Sequence, residues 1–187
     1  MGLNITGDPQ ADKVLDEHPF GLLTGMLLDQ QVPMEHAFSG PAKILDRFGS
    51  LDPGDIAAAD PEEFATMCAT PPAVHRFPGS MAGRVQALAA HVVAEYAGDA
   101  ARIWTEASDG KDLIRRLQAL PGFGRQKAQI FTALLGKRLG VRPEGWAEAA
   151  GDYGETGAYR SVADVVDATS LAKVRAYKKE RKKAAAG

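Results

Sequence analysis

Two glycines set one residue apart separate two helical segments about two thirds along the chain, and this arrangement most constrains the fold. Gly122 and Gly124 belong to the stretch LPGFGRQKA, residues 120–128. Apolar residues at helical spacing predict one helix over 111–119 before the turn and another over 125–136 after it. Glycine adopts backbone angles that other residues avoid, so the turn between the two helices can be tight.

The start of the second helix predicts an anion-binding site. The first N–H groups of a helix have no partner inside it, and the helix dipole places partial positive charge at the same end. Arg125 and Lys127 follow the turn and add formal charge there. A phosphate of a nucleic-acid backbone fits such a site, in a contact that positions the protein without reading sequence. A plain helical hairpin, whose glycines only make the turn, is the simpler alternative.

The rest of the chain also predicts helices. Asp-Pro pairs at 8–9, 52–53 and 60–61 are typical of helices that begin with an aspartate cap and a proline in the first turn. The clearest helix follows Ser80, which we expect to cap it. Its apolar residues form one continuous stripe, made of Val85, Leu88, Ala89, Val92, Val93 and Tyr96.

Further caps are expected at Asp109, Ser161 and Thr169, and residues 140–160 are expected to be loop and irregular turns. No segment alternates between apolar and polar residues as a half-buried strand does. The sequence therefore predicts an all-α protein with little or no sheet.

The net charge of −2 conceals an asymmetry along the chain. Residues 171–187 contain seven basic residues and one acidic residue, so this segment carries +6 and the remainder carries −8. A basic end on an acidic body can bind a polyanion even when the total charge is near zero. A solvated helix end or a frayed tail is the alternative.

A single cysteine, Cys68, excludes an internal disulfide, a cysteine-rich zinc site and a four-cysteine iron–sulfur cluster. The histidines lack metal-ligand spacing, so no metal site is expected. No secretory signal is expected at the start of the chain, and no stretch approaches the roughly 20 apolar residues of a membrane span. We therefore expect a cytoplasmic protein without a membrane partner.

The hairpin stretch resembles that of the helix–hairpin–helix (HhH-GPD) base-excision DNA glycosylases, the superfamily that includes endonuclease III. More narrowly, it is similar to a small, cluster-free actinobacterial-type group. The resemblance covers roughly residues 18–146 and includes a second match at LLDQQ, which ends in Gln30 and Gln31.

The resemblance implies a two-lobed helical fold. One lobe would span about 33–136 and contain the hairpin at 112–136, and the other would combine 1–32 with 137–170, followed by a basic helix or tail at 171–187. It also implies double-stranded DNA with a damaged base as the partner, and a nucleoid-associated protein. No cofactor and no protein partner are implied, although the hairpin of the family leaves room for a monovalent cation.

The resemblance assigns DNA contacts to both motifs. Gln31, or alternatively Gln30, would help fill the gap left by an extruded base, unless the two are only exposed polar residues at a helix end. The hairpin residues expected to contact DNA are Gly122, Phe123, Gly124, Arg125 and Lys127. Aromatic residues expected to be mostly core, but able to stack on a flipped base, are Phe77, Trp104, Trp146 and Tyr153. His75 and Arg76 fall in a proline-rich loop that we expect to be exposed.

The family's chemistry depends on a carboxylate about eighteen residues beyond a hairpin position that is lysine in its strand-cutting members. Here Gln126 occupies that position and has no nucleophilic amine, while Lys127 is turned by about 100° around the helix, which disfavours lyase activity. Eighteen residues after Gln126 stands Glu144, where the family has Asp. Asp152 is a second candidate for the catalytic carboxylate if the loop is longer here than in the family. Alternatively, both are surface carboxylates and the catalytic position has been lost.

The sequence thus favours a monofunctional DNA N-glycosylase, which hydrolyses the glycosidic bond of a damaged base. The alternative is a non-catalytic helix–hairpin–helix DNA-binding protein that has lost the catalytic carboxylate. A helical protein–protein adaptor is a third interpretation. No motif defines the lesion, because that choice depends on the shape of the base pocket.

Overall fold

Helices account for all regular secondary structure within residues 2–186, the residues described by the computed structural model. The expectation of an all-α fold is therefore confirmed. In chain order the α-helices are α1 Pro9–Glu17, α2 Pro19–Leu28, α3 Met34–Phe48, α4 Pro53–Ala58, α5 Pro61–Ala69, α6 Pro78–Tyr96, α7 Arg102–Thr105, α8 Gly110–Gln118, α9 Arg125–Arg138, α10 Trp146–Ala149 and α11 Ala168–Ala186. Two short 3-10 helices, Gly151–Gly154 and Val162–Asp164, lie between α10 and α11.

Aspartate side chains begin several helices as the sequence predicts. Asp8, Asp52, Asp60 and Asp109 each accept a hydrogen bond from a backbone N–H in the first turn of the helix that follows. These bonds satisfy donors that have no partner within the helix, and each cap is typically worth about 1 kcal/mol.

Two predicted caps are wrong. α6 begins at Pro78, ahead of Ser80, because the fixed φ angle of proline suits the first turn of a helix. α11 begins at Ala168, so Thr169 lies inside the helix. The carboxylate of Asp167 accepts a hydrogen bond from the N–H of Ser170 at 2.8 Å and takes the expected capping role.

α2 is the central helix of the fold, and every residue from Phe20 to Leu28 is buried. It packs against α1, α3 and α6, and it also contacts α9. α9 in turn packs against α8, α10 and both 3-10 helices, which form a second group of elements. The C-terminal end of α2 therefore lies beside the hairpin between α8 and α9. The lobe boundaries given above stay a prediction.

α11 lies on the surface of this second group. Only Ser170 and Val174 of this helix are buried, and its basic residues face outward. The basic segment predicted at 171–187 is thus helical up to Ala186, and Gly187 lies outside the described residues. None of the helices described in residues 2–186 is both long and apolar enough to cross a membrane.

Candidate functional site

The hairpin turn lies against the end of α2. Gly122 has a φ of +84°, a left-handed conformation that side chains disfavour. A Cβ atom added there would also collide with Cδ1 of Leu27. Glycine is therefore required at this position for two independent reasons, its backbone conformation and the close approach of α2.

Gly124 precedes α9 and leaves the N-terminus of that helix open. Its φ of −88° suits any residue, and an added Cβ would meet no atom within 4 Å. No side chain caps this helix end, and Gly124 and Arg125 are exposed. The first N–H groups of α9 thus face solvent in the arrangement that binds phosphate.

Phe123 anchors the turn to the hydrophobic core. Its side chain is only 5% exposed and packs edge-on against Phe131, with ring centroids 6.3 Å apart. Its N–H donates to the carbonyl of Leu120 at 3.1 Å. The side chain of Phe123 therefore belongs to the core, and its assignment as a DNA contact stays a prediction.

A cleft of about 940 Å³ lies beside the hairpin, where the two motifs of the sequence meet. Its wall joins the end of α2, the start of α3, the loop before α6, the first turns of α9 and the outer part of α11. The lining residues are Met26, Asp29, Gln30, Gln31, Val32, Pro33, Arg76, Phe77, Gln126, Lys127, Ile130, Lys178 and Lys182. The structure thus brings Gln30, Gln31 and Lys127 together, and Phe77 is 43% exposed there.

Lys127 ties the hairpin helix to α2. Its Nζ donates to the carbonyls of Met26, Leu27 and Asp29 at 2.6, 3.3 and 3.1 Å, at the C-terminal end of α2. An ammonium group has three donors, so these bonds account for all of them. Burial lowers the pKa of Lys127 to about 8, an effect that the nearby carboxylate of Asp29 opposes. The use of Lys127 as a phosphate contact stays a prediction.

Gln31 has an exposed side chain on a strained backbone. Its φ of +60° is uncommon for a residue other than glycine, and such conformations cluster at functional sites. Both polar atoms of the neighbouring Gln30 side chain are hydrogen-bonded. Its Nε2 donates to the carbonyl of Leu27 at 2.9 Å, and its Oε1 accepts from Arg84 at 3.2 Å. The segment is therefore held in place while Gln31 projects outward.

His75 fixes the same segment from the interior. The expectation that it lies in an exposed loop is wrong, because the side chain is only 1% exposed. Its Nδ1 accepts the N–H of Phe77 at 3.0 Å, which leaves the proton on Nε2 to be donated to the carbonyl of Gln30 at 2.9 Å. A single ring thus joins the loop before α6 to the end of α2, and this contact spans 45 residues of sequence.

Neither predicted catalytic carboxylate lines the cleft. Glu144 is exposed and lines a separate hollow of about 730 Å³ with Arg125 and Asp109, and its backbone carbonyl accepts the N–H of Gly110 at 2.7 Å. Asp152 is also exposed. The structure therefore separates Glu144 and Arg125 from Gln30, Gln31 and Lys127. The catalytic roles of Glu144 and Asp152 stay predictions.

Asp29 is the cleft residue that sequence reasoning missed. Its side chain is 5% exposed, and its two carboxylate oxygens lie 3.4 and 3.5 Å from Nζ of Lys178 on α11. The available signal was its position as the first ionisable residue after the entirely buried run of α2. As one of many acidic residues in a body that carries −8, it gave no indication of a site.

Basic residues of α11 complete the cleft. Lys178 and Lys182 line it directly, and Arg175 pairs with Glu35 of α3 at 3.4 Å. Arg76, in the loop before α6, also lines the cleft and lies over the ring of Phe77, 5.4 Å from its centroid. The cleft thus combines excess positive charge with one exposed aromatic ring, a combination suited to a nucleic-acid backbone and an unstacked base.

The described part of the chain contains no group of three or more His, Cys, Asp or Glu side chains placed to hold a metal. Cys68 is buried alone, and burial raises the pKa of its thiol to about 11. The expected absence of a cofactor, and the monovalent cation considered at the hairpin, both stay predictions.

Comparison with known proteins supplies the family. A family model described as the HhH-GPD superfamily base excision DNA repair protein matches residues 24–186, which include the C-terminal half of α2, the hairpin and the basic helix α11. Neither the curated proteins nor the solved structures gave a significant match. The chain belongs to the HhH-GPD superfamily of base excision DNA repair proteins.

Proposed function

We propose that this protein is a monofunctional DNA N-glycosylase, which removes a damaged base from duplex DNA by hydrolysing its glycosidic bond. Family membership supports DNA as the partner and base excision repair as the process. Beyond this, we propose that the protein cleaves the glycosidic bond of a damaged base, and that it acts on nucleoid DNA without a protein partner.

One observation carries the proposal: the first turn of α9, directly after the hairpin turn, lines one cleft together with the Gln30–Gln31 segment. Gly122 contacts Leu27, and Lys127 binds the carbonyls that directly precede Gln30. A phosphate held at the open N-terminus of α9 therefore places the duplex within reach of Gln31. Such a duplex can lose one base into the cleft while Gln31 occupies the gap, at a cost of a few kcal/mol in unstacking.

The basic residues supply the attraction for the DNA backbone. Lys178 and Lys182 line the cleft, and Arg125 stands beside the open end of α9. Each phosphate contact of this kind releases counterions, so affinity should fall steeply with added salt. These phosphate contacts position the duplex but do not read its sequence, so the lesion would be recognised by the residues of the cleft.

We expect no strand cleavage through a lysine. Gln126 has no amine, and its Nε2 donates to the hydroxyl of Tyr153 at 3.0 Å. The amine of Lys127 is engaged by three carbonyls and lies against α2. A Schiff base would require Lys127 to leave all three, so borohydride should trap no covalent complex with DNA.

The test is incubation with labelled duplexes that carry uracil, 8-oxoguanine or alkylated bases, followed by alkali. We expect breaks at one class of lesion only after alkali, because a glycosylase without lyase activity leaves an intact abasic strand. No alkali-labile site from any lesion, with DNA binding intact, would exclude the enzymatic proposal.

A non-catalytic DNA-binding protein is the second candidate, and one observation favours it. Glu144 and Asp152, the two candidates for the family's catalytic carboxylate, are exposed and do not line the cleft. Glu144→Gln and Asp152→Asn separate the two candidates. Loss of base release with unchanged binding in one variant would assign catalysis to that carboxylate.

A further inference from the structure

Asp29 is the one carboxylate among the described residues that line the cleft. It follows Leu28, the last residue of α2, and directly precedes the Gln30–Gln31 segment. It also lines a narrower recess of about 140 Å³ that opens between α9, α11 and the second 3-10 helix. Asp29 therefore lies where the open cleft adjoins this narrower recess, two residues before Gln31, the residue expected to replace an extruded base.

The hydrogen bonds of Asp29 set it apart from a structural carboxylate. Asp12, which is similarly buried, accepts three bonds of 3.0–3.1 Å from the backbone and side chain of residues 5 and 6. Within the described residues 2–186, the hydrogen bonds of the Asp29 side chain are the two long contacts with Lys178, an amine that is itself 43% exposed. Buried carboxylates are ordinarily well satisfied, so one with such weak bonds in a cleft is a candidate functional group.

Every other charged residue in the cleft wall is basic: Arg76, Lys127, Lys178 and Lys182. These groups attract phosphate but repel a positively charged sugar. A glycosidic bond breaks through a sugar that develops positive charge at C1′, as in other glycoside hydrolyses. Asp29 is the group in this cleft whose charge can stabilise that state.

We propose that Asp29 is the catalytic carboxylate of the glycosylase reaction, an inference that rests on the proposed function. The C1′–N bond breaks, and its electron pair leaves with the base, which takes up a proton from solvent. The oxygen of a water molecule forms the new bond to C1′. The proton released by that water passes to the carboxylate of Asp29 and then to solvent, which returns the enzyme to its starting state.

Two abasic-site analogues test this role without knowledge of the lesion. A pyrrolidine analogue carries a positive charge in the sugar ring, whereas a tetrahydrofuran analogue has the same shape without charge. We expect the wild-type protein to bind the pyrrolidine duplex more tightly by about tenfold or more, because opposite charges a few ångströms apart interact strongly in a partly dry cleft. Asp29→Asn, which preserves shape, should reduce this preference to nearly none.

Matched variants separate chemistry from structure. Lys178→Ala removes the ion pair that joins Asp29 to α11, so it should weaken binding to both duplexes equally and keep the preference. Glu144→Gln and Asp152→Asn should also keep it. Thermal unfolding followed by circular dichroism should show Asp29→Asn folded like the wild type, since its side chain makes only weak contacts.

The outcomes distinguish this inference from the proposed function. If Asp29→Asn still binds the pyrrolidine duplex more tightly than the tetrahydrofuran duplex, Asp29 does not have the proposed role. The same follows if the wild-type protein binds both duplexes equally well. Either result leaves DNA binding in place. Preference lost in Glu144→Gln or Asp152→Asn instead assigns the chemistry to that residue. No salt-dependent affinity of the wild type for any duplex overturns the proposed function itself.

Discussion

Replacing Gly122 by alanine should damage the fold, whereas the same change at Gly124 should damage only DNA binding. At Gly122 the left-handed backbone costs about 1–2 kcal/mol for any residue with a Cβ. The new methyl group also collides with Cδ1 of Leu27, which is fully buried, and such overpacking costs about 1–3 kcal/mol more. The free energy of unfolding should therefore fall by about 2–5 kcal/mol.

At Gly124 neither penalty applies. The backbone conformation suits alanine and the added Cβ meets no atom within 4 Å, so stability should be unchanged or rise by about 0.4–1 kcal/mol. The methyl group would instead occupy solvent space beside the uncapped N-terminus of α9, where a phosphate would lie. If a phosphate binds there, Gly124→Ala should weaken DNA binding by about tenfold, the value of one good charge-assisted contact.

Urea denaturation measures the stability of both variants, and fluorescence anisotropy with a labelled duplex measures their affinity. Leu27→Ala provides a control for the collision: in that background Gly122→Ala should cost only the backbone part of its penalty. Wild-type stability in Gly122→Ala would refute the packing of the hairpin on α2. Wild-type affinity in Gly124→Ala would refute the backbone anion site.

Three further predictions follow from the cleft. Burial lowers the pKa of Lys127 from 10.5 to about 8, so between these values the unfolded chain binds more protons. The free energy of unfolding, relative to Lys127→Met, should therefore rise by about 2 kcal/mol from pH 8 to pH 10 in urea titrations, and a flat difference would contradict the burial of this amine. Lys182→Ala should reduce the slope of log affinity against log salt by about 1, and an unchanged slope would remove α11 from the DNA contact at that position. His75→Ala should lower the free energy of unfolding by about 2 kcal/mol, because the carbonyl of Gln30 and the N–H of Phe77 lose a buried partner; a change below about 0.5 kcal/mol would contradict that bridge.

Local patterns predicted most of the helices. The spacing of apolar residues gave α6, α8 and α9 to within a few residues. Aspartates before proline or glycine gave the starting points of α1, α4, α5 and α8, where short-range hydrogen bonds decide the structure. The glycine at position 122 was predicted to make a tight turn, and its φ confirms this. These features depend on residues a few positions apart, which a sequence displays directly.

Contacts between residues far apart in the chain could not be predicted from the sequence. Lys127 reaches carbonyls about 100 residues earlier in the chain, and His75 turns inward to meet Gln30. The position of Glu144 follows from its backbone bond to Gly110, which draws its loop to the start of α8 and away from the cleft. Asp29 lines the cleft together with residues of α9 and α11, which are distant in the sequence, so no local pattern identifies it.

Release of a free base from duplex DNA tests the central claim most directly. The wild-type protein is mixed with a panel of lesion-bearing duplexes, and the small-molecule fraction is analysed by mass spectrometry while the labelled strand is followed on a denaturing gel. The account predicts one class of free damaged base and a strand that stays intact until alkali is added. No free base from any duplex that the protein binds, or strand cleavage that accompanies base release without alkali, would contradict it.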